Sequence, residues 1–543
     1  MSGTYSAMAQ KKVKLERADK QSGGRFADGQ RYDSWIGDVV FSHQKTRIKC
    51  DSAIRMNKTN IIEAFGHVHI KDGDSVTVTS RKLIYDGNTQ KAKLREDVEF
   101  SKLNQVTLYT DFLDYDRVKQ QAYYYNNGKL VDSTNTLSSE KGYYQVNTNM
   151  ASFKKDVVVV NPDYILKSDT LQYNTSSNII FFRAPTVLTD VDGNIFNYSE
   201  GQYDTNKKKS ALNKGVLETE SHNLVGDKLF LDDIKHYYKA TSNVVMTAKE
   251  QDIIISGDIG EYWRDQKITK VYGNALMKQI TDGDTLYLSA DTLVSVDSEV
   301  DAEKRLLAYH NVKIFKSDLQ GKSDSLAYFL ADSTIYFYNN PVLWNDGNQM
   351  TADSINLKIA EKKIKQLNMN VNSFVISQDT VLNFNQIKGR AMTAFFGENA
   401  IDHILVNGNG ETIYFALEEE DNSMIGMNKI ICSDMKIIFG ANKLENIMFY
   451  VKPEGKLIPP QELEDGERQL KGFVWREEER PFLEEMLARN VKITTNNKKL
   501  LLEDVETPSL TEDNPKVVKP SKQLIKKPQL KKPIKQKNNS LKN

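Results

Sequence analysis

A chain of 543 residues, 39% hydrophobic and 27% charged, has enough apolar side chain to build packed cores, which excludes a wholly disordered protein. Its 73 basic and 73 acidic residues cancel, but ten lysines and no acid lie between Lys516 and Asn543. The rest is therefore mildly acidic and offers no general attraction for nucleic acid. No apolar run reaches the ~18 residues of a membrane-spanning helix. Two cysteines, Cys50 and Cys432, are too few for a disulfide framework or a thiolate metal site and read as small buried hydrophobes.

Residues 1–31 read as an N-terminal leader. Ala7-Met8-Ala9 before Gln10 has the small-x-small form of a secretory signal's end, as a signal remnant would, although no apolar core precedes it. From residue 32 to 451 one pattern returns again and again. A small residue and usually an Asp lead into a Leu-x-Tyr alternation; a polar turn follows, then a second apolar alternation opened by Asn-Val or a relative of it. The anchors of the first alternation fall at Leu83, Leu113, Gly142, Leu171, Gly201, Leu229, Gly260, Leu293, Leu326, Ile355 and Met392, about 30 residues apart. Weaker copies at Ala53 and Lys436 bring the count to 12 or 13. Such a period marks a stacked architecture whose units bury their apolar faces against their neighbours.

Within each copy the side chains alternate with period two, so each copy is at least two strands joined by a turn, with one face inward. The inward set comprises Leu83, Tyr85, Val98, Phe100, Leu113, Tyr115, Leu171, Tyr173, Ala275, Met277, Val312, Ile314, Leu326, Tyr328, Val342 and Trp344. Together they line one continuous apolar stripe, which is either an open groove or a filled core. Glycines at three anchors, Gly142, Gly201 and Gly260, either open room in it or let backbones approach.

Two sets of polar residues invite a chemical reading. Asp111, Asp169, Asp227, Asp258, Asp291, Asp324 and Asp353 recur once per copy at a strand entrance. General acid–base chemistry needs a converging pair with separated pKa values, whereas these form a row, so they read as turn or edge residues on a solvated rim. His67 and His69 form a His-x-His on one strand face, half of a metal site. But His67 takes the turn position held elsewhere by Asn, and no third ligand has a place. No nucleophile elbow or phosphate-cradling glycine loop occurs. The expectation is a protein that is not an enzyme and uses no cofactor or metal.

Residues 452–505 read as a polar linker and a short helix within "ERPFLEEMLARN", with Pro481 in its first turn. Residues 506–543 are Lys/Pro-rich and disordered by composition. The tail is a solubilising extension or a contact for anionic headgroups.

The run Asn60-Ile-Ile-Glu-Ala-Phe-Gly66-His-Val-His-Ile70, followed by Ser80-Arg-Lys-Leu-Ile-Tyr85-Asp, resembles the OstA/LptA family of lipopolysaccharide-transport proteins. The same module forms the N-terminal periplasmic part of LptD, and the likeness is greatest to the OstA-like proteins of Bacteroidetes-type bacteria. It recurs at 168–188, 257–277, 290–315 and 323–344. The resemblance implies an all-β, elongated stack of antiparallel strands, a β-jellyroll bent into a V-shaped trough. It implies that the inward stripe is a groove shielding the acyl chains of lipopolysaccharide or a lipid A-type glycolipid during transfer to the outer membrane. It also implies a periplasmic place, alone or associated with the outer membrane. Related jellyroll proteins of the transport bridge, or further copies of this chain, would dock by strand pairing at the terminal edges. The first copy, near Ala53 to Ile70, is expected to carry the open edge. The alternative is a structural or adhesive β-repeat protein with a filled core and no lipid.

Overall fold

The computed structural model describes residues 12–488, apart from 57–58, 103–105, 219–221, 250–251, 282–283, 362, 398–399, 419 and 441–442. The chain divides into two units, 1–495 and 496–543. The Lys/Pro-rich tail falls in the second and lies outside the described residues, as does most of the leader's first half.

The strand from Val76 to Asp86 shows how the pattern folds. Val76, Val78 and Ser80 are buried and their neighbours are not; then the parity slips, and Leu83 and Tyr85 are the buried ones. The slip is a bulge between Thr79 and Lys82, where the strand bends into two arms. Nearly every full-length strand repeats this, with a break at its middle, as at Phe65/Val68, Ser256/Ile259 and Tyr309/Val312. Among the described residues 36 strands form one antiparallel ladder in which hairpin follows hairpin, from Lys14–Arg17 to Glu454–Ile458. Each 30-residue repeat is one bent hairpin.

The bends explain the Asp row. On one strand of each hairpin the corner is made by residues in the left-handed region, such as Asn243 (φ 53°), Asn274 (φ 51°), Asn311 (φ 53°) and Asn372 (φ 53°). Asn tolerates that conformation at least cost among residues with a side chain. The amide of each corner Asn then donates to the Asp at the corner of the adjacent strand: Asn243 to Asp227 (2.6 Å), Asn274 to Asp258 (2.9 Å), Asn311 to Asp291 (2.9 Å) and Asn372 to Asp353 (3.0 Å). Asn339 gives Asp324 a longer bond of 3.4 Å, and Asp111 accepts the Asp97 N–H instead. Six of the seven repeated carboxylates thus pin bends.

The ladder runs past the expected boundaries at both ends. It begins at Lys14–Arg17 and Lys20–Arg25, inside the segment read as a leader, and ends at Glu454–Ile458, beyond 451. These strands lack the Leu-x-Tyr anchor because they have almost no buried face; short, charged strands are how sheets end. The segment from Ala53 to Ile70 is consequently no edge. Thr46–Met56 and Ile61–Asp72 each have ladder partners on both sides, and among the described residues the N-terminal edge belongs to residues 14–25.

The segment read as a linker is a strap. After Ile458 the chain turns back along the outer face of the sheet, held by three buried glutamines. Gln386 donates to the Arg468 carbonyl and accepts from Leu470 N–H, both at 2.8 Å. Gln349 donates to the Val474 carbonyl (2.7 Å) and accepts from Arg476 N–H (2.6 Å). Gln320 accepts from Arg480 (2.6 Å). Leu470, Phe473 and Trp475 pack with Phe374, Ile376, Phe384 and Phe415 as a second apolar cluster. The expected helix is present at Leu483–Ala488, and its Glu485 reaches Lys313 at 2.6 Å. Glu479 is bonded by Arg476 and Lys322, which hold its carboxyl at about 2, against the opposing effect of burial. A depressed folded pKa gives stability that is complete above ~4.5 and lost as pH falls toward 2. Protection of the strap amides from hydrogen exchange is expected to fall over that window before the ladder amides respond; simultaneous loss would contradict it.

Candidate functional site: the interior and its mouth

The inner faces of both arms share one apolar core that runs without a break from Val13 to Ile437. Thirteen of the sixteen stripe residues are members of it, none more than 5% exposed, and the half-buried Tyr328 packs against it. Val342 and Trp344 are buried too, but on the opposite face. Leu343, not its neighbours, joins the inner core, and Val342 pairs with Lys322 while Trp344 pairs with Gln320, the residues that grip the strap. Asn339-Asn340 makes the left-handed corner as His310-Asn311 does, so Pro341 stands where Val312 stands and the inward parity continues at Leu343, the counterpart of Ile314. The glycine anchors are places of close approach: a Cβ on Gly142 would lie 2.6 Å from the Tyr124 hydroxyl oxygen and 2.7 Å from the Ser152 carbonyl oxygen.

Opposite the bends, the hairpin turns form two rows, one at the end of each arm. Backbone hydrogen bonds join turns of the same row, as from Gly73 to the Lys45 carbonyl (3.3 Å) or from Thr205 to that of Asn178 (3.0 Å). Among the described residues none joins one row to the other. The mouth between the rows is instead bridged by side chains. Arg117 spans it to Asp72 (2.8 Å) and Gln44 (2.8 Å), and both members of the ion pair are nearly nine-tenths buried. His43 meets the Tyr85 hydroxyl (2.7 Å), and burial pushes that phenol up to about 12. Lys102 donates to the Val146 carbonyl (2.7 Å), Tyr173 to Asp132 (2.7 Å), Lys208 to Asp163 (2.7 Å), and Arg264 to Asp192.

Sequence reasoning passed over these latches, yet they leave a signal. Val39, Phe41, His43 share one parity, as do Val68, Ile70, Asp72; Val98, Phe100, Lys102; and Leu113, Tyr115, Arg117. A charged or polar residue continuing the inward alternation at a hairpin's end is the mark of a bridge across the mouth.

His67 stands at a corner with φ 34°, and its Nδ1 lies 2.7 Å from Asp51 Oδ2. His67 and His69 are both exposed, and among the described residues no three His, Cys, Asp or Glu side chains are grouped to hold a metal ion.

Residues 10–169 match the model of the OstA-like protein family. This N-terminal part of the chain is OstA-like. The bent hairpins continue in the same ladder beyond the OstA-like region, through to Glu454–Ile458. Among solved structures, LptH of Pseudomonas aeruginosa, the LptA-homologous periplasmic component of the lipopolysaccharide transport device, is 16% identical over 25% of this chain and 80% of its own, with a TM-score of 0.14. The extracellular domain of BT4673 from B. thetaiotaomicron is 8% identical over 83% of this chain and 98% of its own, with a TM-score of 0.09. No curated protein matches. Among the described residues no helix is long and apolar enough to cross a membrane.

Proposed function

We propose that the chain is a periplasmic carrier or bridge that shields the acyl chains of a lipopolysaccharide-type glycolipid between its two arms on the way to the outer membrane. The observation that carries this reading is the construction of the mouth: a continuous apolar interior closed by side-chain pairs, with no backbone ladder across it among the described residues. Parting the arms at a latch breaks a few polar contacts that water can replace, while every strand keeps its neighbours. The acyl chains then take the place of inner side-chain contacts at about 0.8 kcal/mol per CH₂ removed from water. Terminal strands such as Lys20–Arg25 offer to a related jellyroll, or to another copy, edges that no described strand pairs. The tight packing of the inner core favours the second reading, a β-repeat protein that takes no lipid.

Locking the mouth separates the two. Asp72→Cys and Arg117→Cys in one chain place thiols on either side, joined by a short bis-maleimide. The native Cys50 and Cys432 are buried, and burial raises the Cys50 thiol to about 12, so neither competes for the reagent. A benzophenone side chain replacing Phe100, beside Tyr115 under the same latch, reports capture of purified lipopolysaccharide. Capture is expected with the thiols free and lost once they are joined. No capture in either state would overturn the carrier reading.

A further inference from the structure

An outer face that reads as covered extends beyond the strap. Val157-Val158-Val159-Val160 is an unbroken apolar run, whereas a sheet wetted on one side alternates apolar with polar. Val157 and Val159 enter the core, so Val158 and Val160 point out. Strand pairing carries the pattern across eight neighbouring strands, from Val106–Asp116 to Lys209–Glu218, with Ile165, Val187, Ile195 and Val216 also outward. Val160, Ile165 and Val187 are 47%, 46% and 41% exposed. Contiguous apolar patches of this extent mark interaction sites.

The same two outward rows change character on either side of the patch. Toward the N-terminus they carry Arg47, Lys49, His69, Lys71 and Glu99. Toward the C-terminus the row of Val216 runs strand by strand through Val225, Leu276 and Val342 to Phe374, which packs under the strap. There Gln349 and Gln386 give the strap backbone its hydrogen bonds. The patch presents no glutamine outward, so an extended segment laid on it would lose those bonds. Its cover must satisfy its own backbone, and flat rows of Val and Ile suit another sheet packed ~10 Å away.

We propose that this face packs against the same face of a second copy of the chain, about a two-fold axis running along the strands between Met150–Asn161 and Tyr164–Asn174. The register then makes the face complementary to itself. Val160 meets Ile165 across the axis, Val131 meets Ile195, Tyr109 meets Val216 and Thr136 meets Thr189. Lys129 meets Asn197, and Lys167 lies with its stem on Val158, so no like charges oppose each other. Eight strands at ~4.8 Å, with about 13 Å of each, give roughly 500 Å² a side. The total of about 1,000 Å² is at the lower limit for a specific interface. The contact uses neither the interior nor the terminal edges, so it stands apart from the carrier reading.

Sedimentation equilibrium of the full chain at up to roughly 100 μM is the test, since an interface at the low end of the size range binds weakly. A monomer–dimer equilibrium is expected. Val160→Lys with Ile165→Lys sets lysine against lysine across the axis and should weaken association at least ~100-fold. The melting temperature should hold, because both side chains are exposed. Ile84→Lys, at 44% exposure on the other arm, should change nothing. A chain with Val160→Glu and Ile165→Glu should be monomeric alone and pair one to one with the lysine variant on mixing. A native chain that stays monomeric overturns the proposal, and leaves the face to a different partner. So does a dimer that survives the lysine pair, as one joined through the terminal edges would, or failure of the two charged variants to pair.

Discussion

Leu171→Asp is expected to unfold the middle of the stack, and Gln172→Asp to leave it intact. Leu171 is fully buried between Phe153 and Phe182 on the two flanking strands. Losing a buried Leu side chain costs ~2–5 kcal/mol, and an unpaired buried carboxylate adds several more. The sum rivals the ~5–15 kcal/mol that holds a whole domain folded. Gln172 faces outward, where its Oε1 accepts from Arg183 at 3.2 Å. An Asp there keeps an acceptor for that guanidinium, so its effect should stay within ~0.5 kcal/mol. Thermal melts of the two variants decide the matter, and equal effects would mean that the inward face is wrongly assigned.

Gln349→Ala combined with Gln386→Ala is expected to free the strap while sparing the ladder. Both side chains are 0% exposed, and each uses its donor and its acceptor on strap backbone. Removing the two amides strands two carbonyls and two N–H groups, at ~1–3 kcal/mol apiece while they stay buried. Release into water is the cheaper outcome. Hydrogen exchange should find the amides of Leu470 and Arg476 unprotected, with the strands around Leu171 unchanged. Retained protection at both amides would show that the apolar contacts of Phe473 and Trp475 suffice by themselves.

The repeat, its hairpin character and its inward face were legible because each rests on local alternation: Leu171 and Tyr173 announce a buried face without knowledge of any partner. The Asp row was legible as structural, but not its place: Asp227, Asp258 and Asp291 sit at bends in the middle of strands and not at strand entrances. What the alternation hides is whatever buries a strand's second face. Val342-Leu343-Trp344, Phe374-Val375-Ile376 and Ile413-Tyr414-Phe415 are unbroken apolar runs, the mark of strands covered on both sides. Read with a one-sided template, they gave Val342 and Trp344 the wrong face and left the strap looking like a linker. The latches were missed because a charge at a hairpin's end looks like a solvated turn; only its parity betrays it. The first strands escaped because a charged edge carries no apolar period at all.

The strap also sets an order of events in folding. Every ladder bond joins a strand to one close by in sequence, so a hairpin can form wherever the chain first collapses and its neighbours can zip onto it. The strap's contacts are different: Gln349 and Val474 are 125 residues apart, and Lys313 and Glu485 are 172 apart. Each presupposes a finished outer face, assembled from strands that must already be in register. The strap therefore closes last, and until it does Trp344, Phe374 and Phe415 face water. In a chain whose ladder steps are all local, that interval is when apolar surface stands open to other molecules, and the speed of strap closure sets how long it lasts.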